Sequence, residues 1–375
     1  IAQSSLLNNG SVFNYTQAPS PIPKSLTWEK ATTYDLGLDF EAFNGRLNFS
    51  ADIYRKKTTD MYVVGEELPA VFGNSAPKGN YADMRPDGWE ASLSWRDSHK
   101  VAGKTLSYNI KVAVWDNTSK ITRYTAKTGT LPTNYSINYY EGMTLGEMWG
   151  YKCDGLFQSD EEAQTWANYS KFTNRSATWQ AGDPRYLDLN GDGYVNNGNN
   201  TIYDHGDLVK IGNTTPRYSY SIQGGVRWNG IGISMMWQGA GGNSKLMTKS
   251  LYEPVRERNR FQDIHLYRWT EERWQNGETI KYPRLSSATN KHNQCTNTFY
   301  LKKGDYLRLK SIEIGYTFNK RQLRFIGLNS IRIYVGGNNL LTFSEIKNFD
   351  PEMGDETGYF YPQMKMWNFG ININF

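Results

Sequence analysis

Cysteine is nearly absent. Two residues in 375, Cys153 and Cys295, are too few for a disulfide scaffold and leave two readings open, a single bridge or two separate thiols. Long apolar runs are missing as well: no window reaches the roughly 18 consecutive apolar residues that a membrane-spanning helix needs. A net charge of +5, dispersed along the chain, is too small a basic excess to argue for a nucleic-acid partner. The four histidines (His99, His205, His265, His292) show no metal-ligand spacing and are expected in loops or turns. There is no G-x-S-x-G, no phosphate-binding glycine loop and no C-x-x-C. The adjacent pairs Glu161-Glu162 and Glu271-Glu272 read as solvated loop charges. No enzymatic chemistry is indicated. The chain starts at Ile1 without a signal peptide, so a fragment or a processed product is expected.

What is abundant is aromatic and glycine residues: 26 Tyr, 12 Trp, 16 Phe and 35 Gly. These are distributed with a two-residue period. At the end of the sequence Trp367, Phe369, Ile371, Ile373 and Phe375 share one parity, opposed by Met366, Asn368, Gly370, Asn372 and Asn374. Successive side chains of a strand point to opposite faces, so such a segment has one apolar and one polar face. The same alternation is found in 34–40, 47–53, 89–95, 106–114, 218–228, 231–237 and 331–335. It occurs also in 307–318, where Leu307 and Leu309 have one parity and Ile312, Ile314 and Tyr316 the other, so a bulge is expected near Lys310 or Ser311.

These nine segments are joined by connections that alternate short and long. Asn44-Gly45 and Asn229-Gly230 mark tight hairpins. The stretches about 59–86, 117–216, 241–302 and 343–364 are long and lack sustained alternation, and 1–32 reads as irregular. Within 117–216, Asp160 to Ala167 is expected to be a short helix with Ser159 as N-cap. Outer-membrane barrels have short turns on the periplasmic side and long extracellular loops, with an apolar exterior and a polar lumen. A soluble β-sandwich has no reason to alternate its loop lengths. The expected fold is therefore all-β, an antiparallel transmembrane β-barrel section, and 117–216 would be a long extracellular loop. Bacterial barrels close with an even strand number, so nine strands point to further strands upstream. Asp35, Asp39, Asp52, Glu90, Lys111 and Arg227 would line the lumen.

Two features of the loops carry possible chemistry. The first is Asp188-Leu189-Asn190-Gly191-Asp192-Gly193-Tyr194, which follows the D-x-N-x-D-G start of an EF-hand calcium loop. Asp188, Asn190 and Asp192 offer oxygens at alternate positions, and Tyr194 offers its backbone carbonyl. The twelfth position is Asn199 and not an acid, so Asp204 or Asp207 would have to complete a structural Ca2+ site. The competing reading is an Asx-rich turn that satisfies itself. The second feature is a set of loop aromatics, Tyr139, Tyr140, Trp149, Tyr151, Phe157, Trp166, Trp179, Tyr267, Trp269, Trp274 and Tyr359 to Tyr361. They could stack on solute or pack the loops together.

The stretches L-T-W-E-K-A-T-T-Y-D-L-G-L-D-F (26–40), L-G-E-M-W-G-Y-K-C-D-G-L-F-Q-S-D-E-E-A (145–163) and Y-L-D-L-N-G-D-G (186–193) resemble the SusC-like TonB-dependent transporters of Bacteroidetes. So do I-G-N-T-T-P-R-Y-S-Y-S-I-Q-G-G (211–225), Y-L-R-L-K-S-I-E-I-G-Y-T-F (306–318) and the Phe375 terminus. Cys153 and the insertion after Val195 depart from the pattern, and the insertion weakens transfer of the last calcium ligand. The resemblance implies the C-terminal part of a 22-stranded barrel whose plug domain and TonB-contacting segment lie outside this sequence. It further implies an outer-membrane location, a SusD-like surface lipoprotein as partner, and import of an oligosaccharide or a peptide driven through TonB. On family frequency the oligosaccharide is favoured. A secreted β-rich glycan-binding protein and a passive porin are the alternatives.

Overall fold

The computed structural model describes residues 3–8, 11–16, 22–66, 69, 71, 76–125, 131–132, 138–170, 172, 178–247, 251, 255, 261–287, 290–347, 349–353, 361 and 363–375. Its elements in chain order begin with β1 (Gln3–Asn8), β2 (Ser11–Thr16), β3 (Lys30–Ala42), β4 (Leu47–Val64), β5 (Lys78–Val101) and β6 (Lys104–Tyr124). A loop region follows with β7 (Glu147–Tyr151), β8 (Cys153–Leu156), α1 (Asp160–Ser170), β9 (Pro184–Tyr186) and β10 (Leu208–Asn213). Then come β11 (Tyr218–Trp228), β12 (Ile231–Gly241), β13 (Ser244–Leu246), α2 (Glu271–Gln275), β14 (Leu301–Lys303) and β15 (Tyr306–Asn319). The last strands are β16 (Ser330–Asn338), β17 (Thr342–Ser344) and β18 (Met366–Asn374).

Nine of these strands form one antiparallel sheet in the order β18-β16-β15-β12-β11-β6-β5-β4-β3, with β17 pairing to β15 off that path. All nine alternating segments of the sequence are in it. Register keeps the apolar parity on a single face from edge to edge: Leu36↔Ile53, Phe49↔Leu93, Leu93↔Val112, Val226↔Ile233, Ile233↔Ile314 and Ile333↔Ile371 are direct partners. The opposite face carries Gly37↔Asp52, Asp52↔Glu90, Lys111↔Gln223 and Ser107↔Arg227, so the six polar residues expected in the lumen share it. Because the side-chain period is two, a slip of one residue would exchange the faces. At Lys310 such a slip is absorbed. Met236 pairs with Ser311 but Trp237 pairs with Leu309, which leaves Lys310 as the extra residue of a bulge at the expected place.

The turns at one end are tight. Asn229 and Gly230 both have positive φ, 49° and 88°, as a two-residue primed hairpin turn requires. Close approach fixes two glycines elsewhere in the sheet: a Cβ at Gly88 would lie 2.3 Å from the Tyr54 ring, and one at Gly370 2.3 Å from the Tyr334 ring. Each tyrosine covers the glycine of its paired strand, and the side chains interlock where two would collide.

Several boundaries differ from the sequence expectation. Strands β1 and β2 pair antiparallel and β3 begins at Lys30, where an irregular 1–32 was expected. The 59–86 stretch contains the end of β4 and the first nine residues of β5. Alternation is hidden there by register shifts around Met61 and by Asp60, whose φ is 59°. Pro86 hides it further: pairing with β4 passes from Arg55↔Asp87 to Thr58↔Met84, while Pro86, which has no N–H to give, pairs with Ser119 of β6. The 117–216 loop begins only after Tyr124, because β6 carries 117–124. His99 lies in β5 and not in a turn, since the hairpin closes at Ala102-Gly103. No helix among the described residues is long and apolar enough to cross a membrane, which says nothing of strands.

The buried cores lie mostly outside the sheet, with Ile121 of β6 at the margin of one of them. On its apolar face Phe369 is 80% exposed and Ile371 62%, whereas Phe157 and Trp179 in the loop region are 0% and 1% exposed. An apolar face that continuous is matched by hydrocarbon and not by water. Replacing Ile233 or Ile371 by Arg should lower membrane assembly of the whole protein by about 2–4 kcal/mol for a site near mid-bilayer. Heat-modifiable gel mobility of the membrane fraction measures it; unchanged assembly would reverse the facing.

Candidate functional site

The long connections fold together at the end of the sheet away from the tight turns. Two apolar clusters hold them. One collects Leu131, Tyr140, Trp149, Tyr151, Phe157, Phe172, Trp179, Tyr186, Val195 and Leu208; the other is built on Met148, Leu246, Met247, Leu251, Ile264, Tyr282, Tyr300, Ile346 and Phe349. Tyr140, Trp149, Tyr151, Phe157 and Trp179, offered by the sequence as either solute-stacking or packing residues, are therefore packing residues. Tyr267 and Trp274 remain exposed, each at 43%. Tyr359 and Phe360 lie outside the described residues.

Helix α1 starts where its sequence predicts. The Ser159 hydroxyl accepts the Glu162 amide at 3.2 Å, and Asp160, Glu161 and Glu162 occupy the first turn, where helix amides favour acids. Glu271 and Glu272 likewise open α2, capped by Thr270. Neither glutamate pair sits on irregular loop backbone. Glu162 is also engaged by Arg185, which bridges to Asp154.

A buried carboxylate staples the loops. Asp183 follows the 171–182 connection and is 0% exposed. Its Oδ1 accepts from Arg284 Nε at 2.7 Å, Asn293 Nδ2 at 2.7 Å and Asn290 Nδ2 at 3.3 Å. Its Oδ2 accepts from Arg284 Nη2 at 3.2 Å, His292 Nε2 at 3.1 Å and the Gln180 amide at 3.0 Å. The His292 ring lies flat on Trp179 with centroids 3.8 Å apart. Burial pushes the Asp183 carboxyl up, but the His292 hydrogen bond and the Arg284 charge outweigh it and hold it below the usual carboxylate range. The sequence concealed this hub because its members stand 101 to 110 residues apart with no motif around them. A second hub, Arg308 of β15, is also buried; it binds Asp350 at 2.8 Å and Glu352 at 3.2 Å. Lys310, the bulge residue, binds Glu352 at 2.7 Å, so the 345–353 loop is pinned to the polar face of the sheet.

The 188–207 segment adopts the turn its glycines allow, with Gly191 and Gly193 at φ 75° and 83°. Asp188 accepts the amides of Gly191 and Gly193 at 2.6 and 2.9 Å, Asn190 Oδ1 accepts the Asp192 amide at 3.0 Å, and Asp192 accepts the Tyr194 amide at 2.7 Å. Asp207 lies beneath, fully buried. Its oxygens accept Leu189 at 2.7 Å and Asn196 at 2.8 Å. Asp204 instead binds Asn199. Among the described residues no three His, Cys, Asp or Glu side chains gather into a metal-binding cluster. The donors on Asp188, Asn190, Asp192 and the Tyr194 carbonyl are all oxygen and suit a hard cation; Asp207 is committed to loop amides. Cys153 and Cys295 are not bridged to each other; their thiols donate to the carbonyls of Gly155 and Lys291.

Residues 3–237 match the family model described as TonB dependent receptor-like, beta-barrel. The chain belongs to that family, and its sheet is a section of an outer-membrane β-barrel. It is SusC-like. It is 26% identical to TonB-dependent receptor P39 of Formosa agariphila over 99% of its own length and 38% of that protein's. With TonB-dependent receptor SusC of Bacteroides thetaiotaomicron it shares 20% over 98% of the chain and 34% of the relative. A solved RagAB peptide transporter covers the whole chain with 38% of its own, at 20% identity and a TM-score of 0.71. The chain thus spans little more than a third of the length of the relatives it matches.

Asp183→Asn should cost about 3–5 kcal/mol locally, since Arg284 is left without its buried counter-charge. The expected readout is faster limited proteolysis within 157–186 and 284–297, with the barrel resistance unchanged. Because the folded carboxyl titrates below the unfolded one, near pH 4, the hub contributes fully above that value. Its contribution is lost as pH falls through the depressed folded pKa. Protection independent of pH down to about 3 would contradict the hub.

Proposed function

We propose that the whole protein is an active, non-enzymatic importer of a nutrient solute across the outer membrane, coupled to TonB and working with a SusD-like surface lipoprotein. The observation that carries this reading is the pairing of a lipid-facing nine-strand sheet with an extracellular loop assembly that has cores of its own, in a chain of the TonB-dependent receptor family. A passive pore would need no such ordered roof. A secreted glycan-binding protein would expose its apolar sheet face to water. Two solute classes stand, an oligosaccharide and a peptide. Burial of five of the loop aromatics leaves fewer rings for sugar stacking, and a solved neighbour is a peptide importer, so peptide has support equal to that for oligosaccharide.

Uptake by cells carrying the full-length gene tests this reading. Deleting the gene should abolish accumulation of one labelled solute class, and collapsing the proton-motive force should do the same in the parent. Uptake that continues without the proton gradient would establish a passive pore instead.

We further propose Ca2+ as a structural ion of the 188–194 turn, bound by Asp188, Asn190, Asp192 and the Tyr194 carbonyl, with Asp207 bracing the same loop from beneath. Support comes from the all-oxygen donor set on one turn. Calcium should protect 186–210 from proteolysis in the parent protein, and Asp188→Ala with Asp192→Ala should remove that protection. Identical cleavage with calcium and with chelator would eliminate the ion.

A further inference from the structure

At the loop end of the sheet, the apolar face gives way abruptly to basic residues. Tyr34, Leu36, Ile53 and Trp89 form the apolar floor of a groove of about 870 Å3 that crosses β3, β4 and β5 and ends at Arg217 before β11. Two residues outward from Ile53↔Trp89 stands Arg55↔Asp87, and two further along the same strands come Lys57 of β4 and Arg85 of β5. Arg85 in turn pairs with Lys120 of β6. Strand alternation puts Arg55, Asp87, Lys57, Arg85 and Lys120 on the same side as Leu36, Ile53 and Trp89, the side that meets lipid, and Arg217 reaches that side through Asp116. Arg55, Lys57, Arg85, Lys120 and Arg217 stand against Asp87 and Asp116, an excess of three positive charges in the region. Both carboxylates are already engaged, Asp87 by Arg55 at 2.5 Å and Arg85 at 3.1 Å, and Asp116 by Arg217 at 2.7 Å. Farther out, Arg123 and Lys30 balance Asp83 and Asp60 in number, with Asp83 also near Lys57. The positive excess is therefore confined to the border of the hydrocarbon band, beside Tyr34 and Trp89, the residue types that favour that depth.

We propose that this surface docks a phosphorylated lipid of the outer leaflet, its acyl chain along the Leu36–Ile53–Trp89 floor and its phosphate on the Lys57–Arg85–Lys120 row. The charge sign, the apolar floor and the depth each fit that occupant: a soluble anion would have no use for the floor, and a neutral lipid none for the row. The inference rests on the outer-membrane barrel reading and adds a ligand on the outside of the wall, away from any solute path.

The test uses the full-length transporter, stripped of lipid and returned to phosphatidylcholine nanodiscs containing a small fraction of diphosphorylated lipid A. Native mass spectrometry then counts retained glycolipid. Parent protein should retain it against millimolar inorganic phosphate and lose it when the lipid phosphates are removed. Lys57→Gln, Arg85→Gln and Lys120→Gln together should weaken retention by roughly fivefold per residue, on the order of a hundredfold in all. Lys57→Arg with Lys120→Arg should leave retention intact. Heat-modifiable mobility reports folding of each variant independently. Equal retention by the folded Gln variant, or displacement by inorganic phosphate, would overturn the proposal. A parent protein that never partitions into membrane would overturn the outer-membrane reading itself.

Discussion

A strand placed between hydrocarbon and water must give all its backbone hydrogen bonds to neighbouring strands, because lipid offers none. Most other features of this chain follow from that demand. Once the ladders are fixed, only side chains can distinguish the two solvents, and they do so with a period of two. The Leu36, Ile53, Trp89 row on one face and the Asp35, Tyr54, Gly88 row on the other are consequences of one register. The Tyr54–Gly88 and Tyr334–Gly370 contacts show the same economy: where a ring crosses to the next strand, the partner residue has no side chain.

The loop assembly obeys a different rule. Its surroundings are aqueous, so it buries its aromatics and orders its segments through a few charged hubs. Asp183 joins the 157–186 and 284–297 segments, and Arg308 with Lys310 joins the 345–353 loop to the sheet. The chain thus contains two kinds of architecture, a sheet whose apolar residues face outward and a roof whose apolar residues face inward, and α1 and α2 belong wholly to the second.

This division also explains what could be read in the sequence. Nine strands, the Lys310 bulge, the Asn229-Gly230 turn and the start of α1 were legible because each depends on local period or local capping. The outward extents of β4, β5 and β6 were not, since Pro86, Asp60 and the shifts near Met61 interrupt the alternation while the strands continue. The Asp183 hub left no local trace at all: Arg284, His292 and Asn293 reach it from more than a hundred residues away. Ring burial was similarly hidden, because Trp179 or Tyr186 in an irregular segment has no period to betray its partner.

The bulge at Lys310 has a wider meaning. A strand of this sheet has a reading frame of two residues, and an inserted residue acts like a frameshift, inverting every side chain beyond it. In β15 the frame is broken and restored at one position, so that Leu309 and Ile312, an odd step apart, share the apolar face. The residue that is spare for pairing is a lysine, and it is spent on holding Glu352. Removing Lys310 would therefore do more than release a loop. It would set the two halves of the strand in conflict over which of them faces the lipid.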